Sequence, residues 1–162
     1  MRKKNFMMEE VKKLPPGDAW LMIQMLGETQ DAARQNAERL RKALSHHPHV
    51  TSDIVITDPN EALVLWDIRK AGLPVTTWVP GQKRDTWEGW EDSAVPRDQL
   101  GGYLRALKSL MAKHDYHAAM YGHFGDGLIH MRLDSGLHTV EEVKNYRAFM
   151  EQAATIVVSF GG

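Results

Sequence analysis

The feature that most constrains the fold of this chain is the stretch at residues 121–133, which reads YGHFGDGLIHMRL. Its Asp126-Gly127 pair is a strong signal for a β-hairpin, because both residue types tolerate the positive φ angles that a two-residue type I′ turn requires. Such a turn places His123 directly opposite His130. The other pairs that it predicts are Gly125 with Leu128 and Phe124 with Ile129.

Alternation along the two strands separates the side chains into two faces. One face is predicted to be polar and carries His117, Tyr121, His123, His130, Arg132 and Asp134. The other face is predicted to be core and carries Ala118, Met120, Ile129, Met131 and Leu133. Two imidazoles on opposed residues can reach one divalent metal ion, so the polar face is a candidate metal site. The alternative is a solvated hairpin face whose histidines have no such role.

The composition excludes several classes of function. The chain has 162 residues and a net charge of −1, so it offers no general attraction to nucleic acid or to an anionic membrane. It contains no cysteine, which excludes disulfides, thiol chemistry and cysteine-ligated iron–sulfur clusters from this segment. No apolar run approaches the roughly 20 residues of a membrane span. These features suit a cytoplasmic protein, and peripheral attachment to the inner face of a membrane stays open for the full-length protein.

The remaining segments predict an α+β domain. Residues 1–16 are predicted to be a linker or the tail of a preceding domain, and residues 17–162 one domain. Helices are predicted to begin after Thr29, at Asp58-Pro59, near Pro96 and after Thr139. Strands are predicted at residues 19–27, 51–57, 75–79 and 84–92, besides the hairpin. This order favours a ferredoxin-like arrangement, in which helices cover one face of a mainly antiparallel sheet.

Two motifs resemble a known family. The segment GHFGDG at residues 122–127, followed by His130, resembles the G-H-x-G-D-G-x-x-H signature of the C-terminal domain of FAD-linked oxidases. These flavoenzymes include D-lactate, glycolate and D-2-hydroxyglutarate dehydrogenases, and the hairpin is most similar to the long members that are fused to iron–sulfur modules. Trp66-Asp67-Ile68-Arg69 resembles the Trp-x-x-Arg motif of the same family. A ferredoxin-like fold is also what this resemblance implies.

The resemblance implies roles for three residues. His123 and His130 match the two catalytic histidines that bind a divalent metal, such as zinc, manganese or iron, together with a glutamate. Arg69 matches the arginine that holds the carboxylate of a small D-2-hydroxy acid. A guanidinium is a planar fork that suits a carboxylate, although an arginine on a helix surface is the simpler explanation of Arg69 without the family.

The chain also departs from the family pattern. The glutamate ligand follows a Gly-Gly like Gly161-Gly162, beyond the last residue here, and Leu128 stands where many relatives have asparagine. Residues 91–96 lack the substrate-binding lysine of some relatives. No glycine-rich dinucleotide loop is present, so FAD is expected to be bound mainly by a preceding domain of the same protein. The chain is therefore predicted to be a truncated substrate domain that is inactive alone.

Other interpretations stay open from the sequence. The chain fits a free-standing, ferredoxin-like module that binds a metal or ligand for regulation, and less well a metal-dependent hydrolase that uses His123 and His130. The tract at residues 46–49, HHPH, is better explained as a polar loop than as a metal site. Asp126 is better explained by its turn than by catalysis. Trp87 and Trp90 fit either the core or a contact with a missing domain.

Overall fold

A computed structural model describes residues 12–17, 19–70 and 82–162 of the chain. The chain divides into two compact units, Met1–Ala71 and Gly72–Gly162, which are treated separately below. The strand predicted at residues 75–79 and most of the linker predicted at residues 1–16 lie outside the described residues.

The first unit contains two helices that begin where the capping signals predict. Helix α1 spans Gln30–Leu44, and the Thr29 side chain accepts a hydrogen bond from the backbone N–H of Ala32. Helix α2 spans Pro59–Lys70, and the Asp58 carboxylate accepts from two backbone N–H groups of its first turn. Both contacts satisfy backbone donors that have no partner within the helix, which explains where the helices start.

The two strands predicted in the first unit are wrong. Residues 19–27 and 51–57 form no strand, and most of their side chains are exposed, with Leu26 at 76% and Trp20 at 44%. Apolar and β-branched residues favour a strand only where a neighbouring strand and a packed face are present. Within the part of the chain that the structure describes, neither segment has a strand partner.

The second unit contains an antiparallel three-stranded sheet. Strands β1 (Trp87–Ala94), β2 (Ala118–His123) and β3 (Leu128–Leu133) are arranged in the order β1-β3-β2. Helix α3 (Leu100–Lys113) follows β1 after a short 3₁₀ turn, and helix α4 (Val140–Ser159) follows β3. The central strand β3 therefore pairs with β2 on one side, as the second strand of the hairpin, and with β1 on the other.

The core of this unit lies between one face of the sheet and the two helices. Ile129, Met131 and Leu133 alternate along β3 and are fully buried, as the apolar side of the hairpin predicts. The helices contribute a stripe of buried side chains to the same cluster: Leu100, Tyr103, Leu107, Leu110, Met111, Phe149 and Ala153. The predicted α+β class, with helices packed on an antiparallel sheet, is confirmed. Among the described residues, no helix is both long enough and apolar enough to cross a membrane.

Helix α4 begins at a capping box that the sequence predicts. The Thr139 hydroxyl accepts from the backbone N–H of Glu142, and the Glu142 carboxylate accepts from the backbone N–H of Thr139. The backbone N–H groups of His138 and Thr139 both donate to this carboxylate and hold the pKa of Glu142 below its usual value.

Thr139→Ala is expected to lower the free energy of unfolding by about 1 kcal/mol, because an N–H of the first turn loses its acceptor. Urea denaturation followed by circular dichroism measures the change. Thr139→Ser keeps the acceptor and serves as the control. Equal losses in the two variants would contradict the capping explanation.

Candidate functional site

The hairpin between β2 and β3 turns earlier than the Asp126-Gly127 signal predicts. Residues Phe124–Asp126 form a 3₁₀ turn, and Gly127 alone in this loop has a positive φ, of 75°. The connection is therefore four residues long, and the predicted two-residue type I′ turn is wrong. The pairs are Tyr121 with His130 and His123 with Leu128, so the predicted pairs of His123 with His130, Gly125 with Leu128 and Phe124 with Ile129 are wrong as well.

The register differs from the predicted one by two residues, and this preserves both faces of the hairpin. Side chains alternate with a period of two, so a shift of two residues leaves each side chain on its original side. Tyr121, His123, His130 and Arg132 therefore share the sheet face opposite the helical core, which we call the hairpin face.

The two predicted site histidines lie close together on the hairpin face. Their ring centroids are 6.2 Å apart and the rings are nearly perpendicular, at 74°. His130 also stacks on Tyr121, with centroids 4.9 Å apart. His123 is exposed at the end of β2, whereas the side chain of His130 is only 16% exposed. The structure thus brings the two imidazoles together as diagonal neighbours rather than as a direct pair.

Two acidic side chains from β1 meet His130, and sequence reasoning did not assign them to the site. Glu91 Oε2 lies 2.8 Å from His130 Nδ1, and Asp92 Oδ1 lies 3.5 Å from the same atom. The signal in the sequence was a pair of adjacent acidic residues inside a predicted strand. Adjacent residues of a regular strand face opposite sides, so that signal becomes informative only once β1 is known to be irregular at this point.

A cation lies next to His130 on the hairpin face. Arg132 stands directly opposite Glu88 of β1, and its guanidinium bonds to the Glu88 carboxylate. The Arg132 side chain is 13% exposed, and its Nε has no hydrogen-bond acceptor among the described residues. The hairpin face therefore combines two imidazoles with one largely covered guanidinium that is paired with the Glu88 carboxylate.

The other residues that the sequence singled out belong to other elements of the chain. Arg69 is in the last turn of α2, in the first unit. The tract at residues 46–49 forms an exposed loop after α1, where the rings of His47 and His49 are 5.6 Å apart. Trp90 packs against the core and donates its Nε1–H to the Tyr103 hydroxyl, whereas Trp87 is 44% exposed and donates to the Gly136 carbonyl.

His123 and His130 are the two side chains of the hairpin face that could ligate a divalent metal. Imidazole nitrogens are normal ligands for zinc, manganese and iron. A zinc–nitrogen bond is about 2.0–2.1 Å long. Within residues 12–17, 19–70 and 82–162, no group of three histidine, cysteine or acidic side chains is arranged to hold an ion. A further ligand is therefore needed besides His123 and His130.

Helix α3 opens on a glycine pair that serves packing. Glycine-rich segments at the N-terminus of a helix can bind phosphate, and Gly101-Gly102 lies at the start of α3. A Cβ on Gly102 would lie 2.8 Å from a ring carbon of Phe160, so this glycine serves close packing against the end of α4.

Comparisons with known proteins agree with the motif. Residues 3–162 match the sequence model of the family described as FAD linked oxidases, C-terminal domain. D-2-hydroxyglutarate dehydrogenase of Haemophilus influenzae is 29% identical over 72 residues, which are 44% of this chain and 7% of that protein. Glycolate oxidase subunit GlcD of Bacillus subtilis is 25% identical over 72 residues, which are 44% of this chain and 15% of that protein. The chain thus spans a small part of the length of both relatives.

Proposed function

The chain belongs to the family of FAD linked oxidases, C-terminal domain, and from this membership we propose that it is the substrate- and metal-binding domain of an FAD-dependent 2-hydroxy-acid dehydrogenase. The reaction proposed for the whole protein is the oxidation of a small D-2-hydroxy acid, with FAD as the hydride acceptor. The names of both relatives describe enzymes that act on 2-hydroxy acids, which supports this substrate class.

One observation carries the proposal for this chain: His123 and His130 share the hairpin face, with ring centroids 6.2 Å apart. A neutral imidazole presents one lone pair in the plane of the ring, so two rings on one face can offer two nitrogens to one ion. Zinc, manganese and iron are the candidates. When bound, such an ion would act as a Lewis acid on the substrate oxygens and ease loss of the hydroxyl proton.

The residues of this chain have distinct proposed roles. His123 and His130 are proposed to hold the ion through one ring nitrogen each, and the bound ion would ease loss of the hydroxyl proton. Arg69 is proposed to hold the substrate carboxylate, and the support for this role is the Trp66-x-x-Arg69 resemblance together with its place near the end of α2.

The partners proposed follow from the same family. FAD is proposed to be held mainly by an FAD-binding domain of the full-length protein, because the sequence carries no glycine-rich dinucleotide loop. The part at residues 17–162 is accordingly proposed to be inactive by itself. An iron–sulfur module as electron acceptor and a ferredoxin-like completion of the three-stranded sheet are supported by the resemblance alone.

In the full-length protein, His123→Ala is expected to weaken Mn²⁺ binding by at least about tenfold and to lower the oxidation rate of a 2-hydroxy acid in parallel, because the ion loses one imidazole. Isothermal titration calorimetry measures the affinity, and the metal content follows from elemental analysis. His138→Ala is the matched control, since this exposed histidine pairs with Asp85 away from the hairpin face. Unchanged Mn²⁺ affinity in His123→Ala would overturn the proposed function.

A further inference from the structure

One histidine of the second unit is buried where its two helices meet. His114 directly follows the last residue of α3, and it is only 9% exposed. Its ring stacks on Tyr116, with centroids 6.1 Å apart, and meets the ring of Phe149 on α4 edge to face at 5.6 Å. His114 precedes β2 and does not belong to the hairpin face, so its role is independent of the ligand proposed there.

The side-chain amide of Asn145 on α4 determines the state of one ring nitrogen. Its Nδ2 donates to the backbone carbonyl of His114 at 3.2 Å. A carbonyl can only accept, so the nitrogen of this amide is engaged there and its oxygen faces the ring. Oδ1 lies 2.7 Å from Nδ1 of His114. Because an amide oxygen has no hydrogen to donate, Nδ1 carries a proton.

The side-chain amide of Gln152 on α4 determines the state of the other ring nitrogen. Its Oε1 accepts from Nζ of Lys113 at 2.6 Å, and its Nε2 donates to the backbone carbonyl of Ala148 at 2.9 Å. Both partners fix the same orientation of the amide, because an ammonium only donates and a carbonyl only accepts. The Nε2 of Gln152 lies 3.0 Å from Nε2 of His114, so this ring nitrogen accepts and carries no proton.

We propose that His114 is an acid-sensitive clamp between α3 and α4. The folded chain holds the ring as the neutral Nδ1–H tautomer, with both nitrogens hydrogen-bonded to α4. A proton on Nε2 would place an N–H group against the amide N–H of Gln152, so one hydrogen bond is lost and two buried donors face each other. In the unfolded chain, a histidine takes up a proton at about pH 6.5 without this cost. Acid therefore weakens the junction of the two helices.

The charges around the His114 ring do not favour a second proton on it. Lys113 already supplies a cation at the C-terminal end of α3, where the helix carbonyls attract one. The carboxylate of Asp115 is bonded to the guanidinium of Arg84. Tyr116 stays a neutral phenol, since burial raises its pKa. Among the residues that the structure describes, the contacts of the ring include no carboxylate that would stabilise an imidazolium.

The test uses two readouts on the purified protein. The ¹⁵N chemical shifts of the His114 ring show which nitrogen carries a proton, and urea denaturation between about pH 5 and 8 gives the folded-to-unfolded ratio. The variant is Gln152→Glu, which keeps the size of the side chain and an acceptor for Lys113, and which places a carboxylate oxygen at Nε2 of the ring. His46→Gln is the matched control, since that histidine is exposed in the loop after α1.

The inference predicts the Nδ1–H tautomer in the unaltered protein at about pH 8. Below about pH 6.5 the unfolded chain binds one more proton than the folded chain, so stability falls as the pH falls. The folded-to-unfolded ratio of the unaltered protein and of His46→Gln should therefore fall by up to about tenfold more per pH unit than that of Gln152→Glu. In Gln152→Glu, the ring should carry both protons at a pH where the unaltered ring is neutral.

Two results would contradict the clamp. The first is an Nε2–H tautomer or a doubly protonated ring in the unaltered protein at about pH 8. The second is the same dependence of stability on pH in Gln152→Glu and in the unaltered protein. The tautomer of the unaltered ring decides the question by itself if Gln152→Glu does not fold.

Discussion

Replacing Gly127 with alanine is expected to lower the free energy of unfolding by about 3–5 kcal/mol. Gly127 has a φ of 75°, which an L-residue with a Cβ adopts only at a cost of roughly 1–2 kcal/mol. A Cβ at this position would also lie 2.0 Å from the carbonyl oxygen of Val95. That oxygen belongs to backbone, so relief of the clash must move either β1 or the hairpin loop.

The same movement would break a contact that joins the hairpin tip to the end of β1. The backbone N–H of Val95 donates to the carbonyl of Gly127 at 3.1 Å, and both residues are buried. Urea denaturation measures the loss of stability. Gly125→Ala is the matched control, because nothing lies within 4 Å of a Cβ there and its φ is not positive. A Gly127→Ala variant as stable as Gly125→Ala would contradict this account of the turn.

Asp134→Ala is expected to destabilise the second unit by about 3–5 kcal/mol, because it leaves two backbone N–H groups without the buried carboxylate that accepts from them. Asp134 is fully buried just after β3. Its carboxylate accepts from the backbone N–H of His117 at 2.6 Å and from the backbone N–H of Lys83 at 3.0 Å. The guanidinium of Arg84 lies 4.0 Å away, and Nδ1 of His117 lies 3.2 Å away.

These contacts tie the start of β2 and the segment before β1 to the end of β3. Chemical denaturation of Asp134→Ala measures their joint contribution. Asp134→Asn keeps the size of the side chain and one acceptor oxygen, so an intermediate loss of about 1–3 kcal/mol is expected. If alanine were tolerated as well as asparagine, the carboxylate would have no structural role, and the buried position of Asp134 would need another explanation.

Local signals in the sequence predicted the helices well. Thr29, Asp58 and Thr139 each mark a helix start that the structure confirms, and the buried stripe on α3 follows its apolar periodicity. These features depend on contacts within a few residues of the chain, so their physical cause is present in the local sequence. The two faces of the hairpin were predictable for the same reason, since a period of two survives a register error of two residues.

Only tertiary structure decided the register of the hairpin and the environment of His130. The Asp126-Gly127 signal favours a tighter turn, but Gly127 packs against Val95, a residue more than thirty positions earlier, and takes the single left-handed position in the loop. The carboxylate at His130 comes from a bulge in β1 that is held by Tyr103, and no local pattern specifies that contact.

The sequence by itself therefore determined the family, the helices and the identity of the two histidines. The tertiary structure decided which residues surround those histidines, because long-range backbone contacts set the turn and the bulge. The strands predicted at residues 19–27 and 51–57 do not form, because β propensity produces a strand only where a neighbouring strand can pair with it. Local sequence does not specify that neighbour.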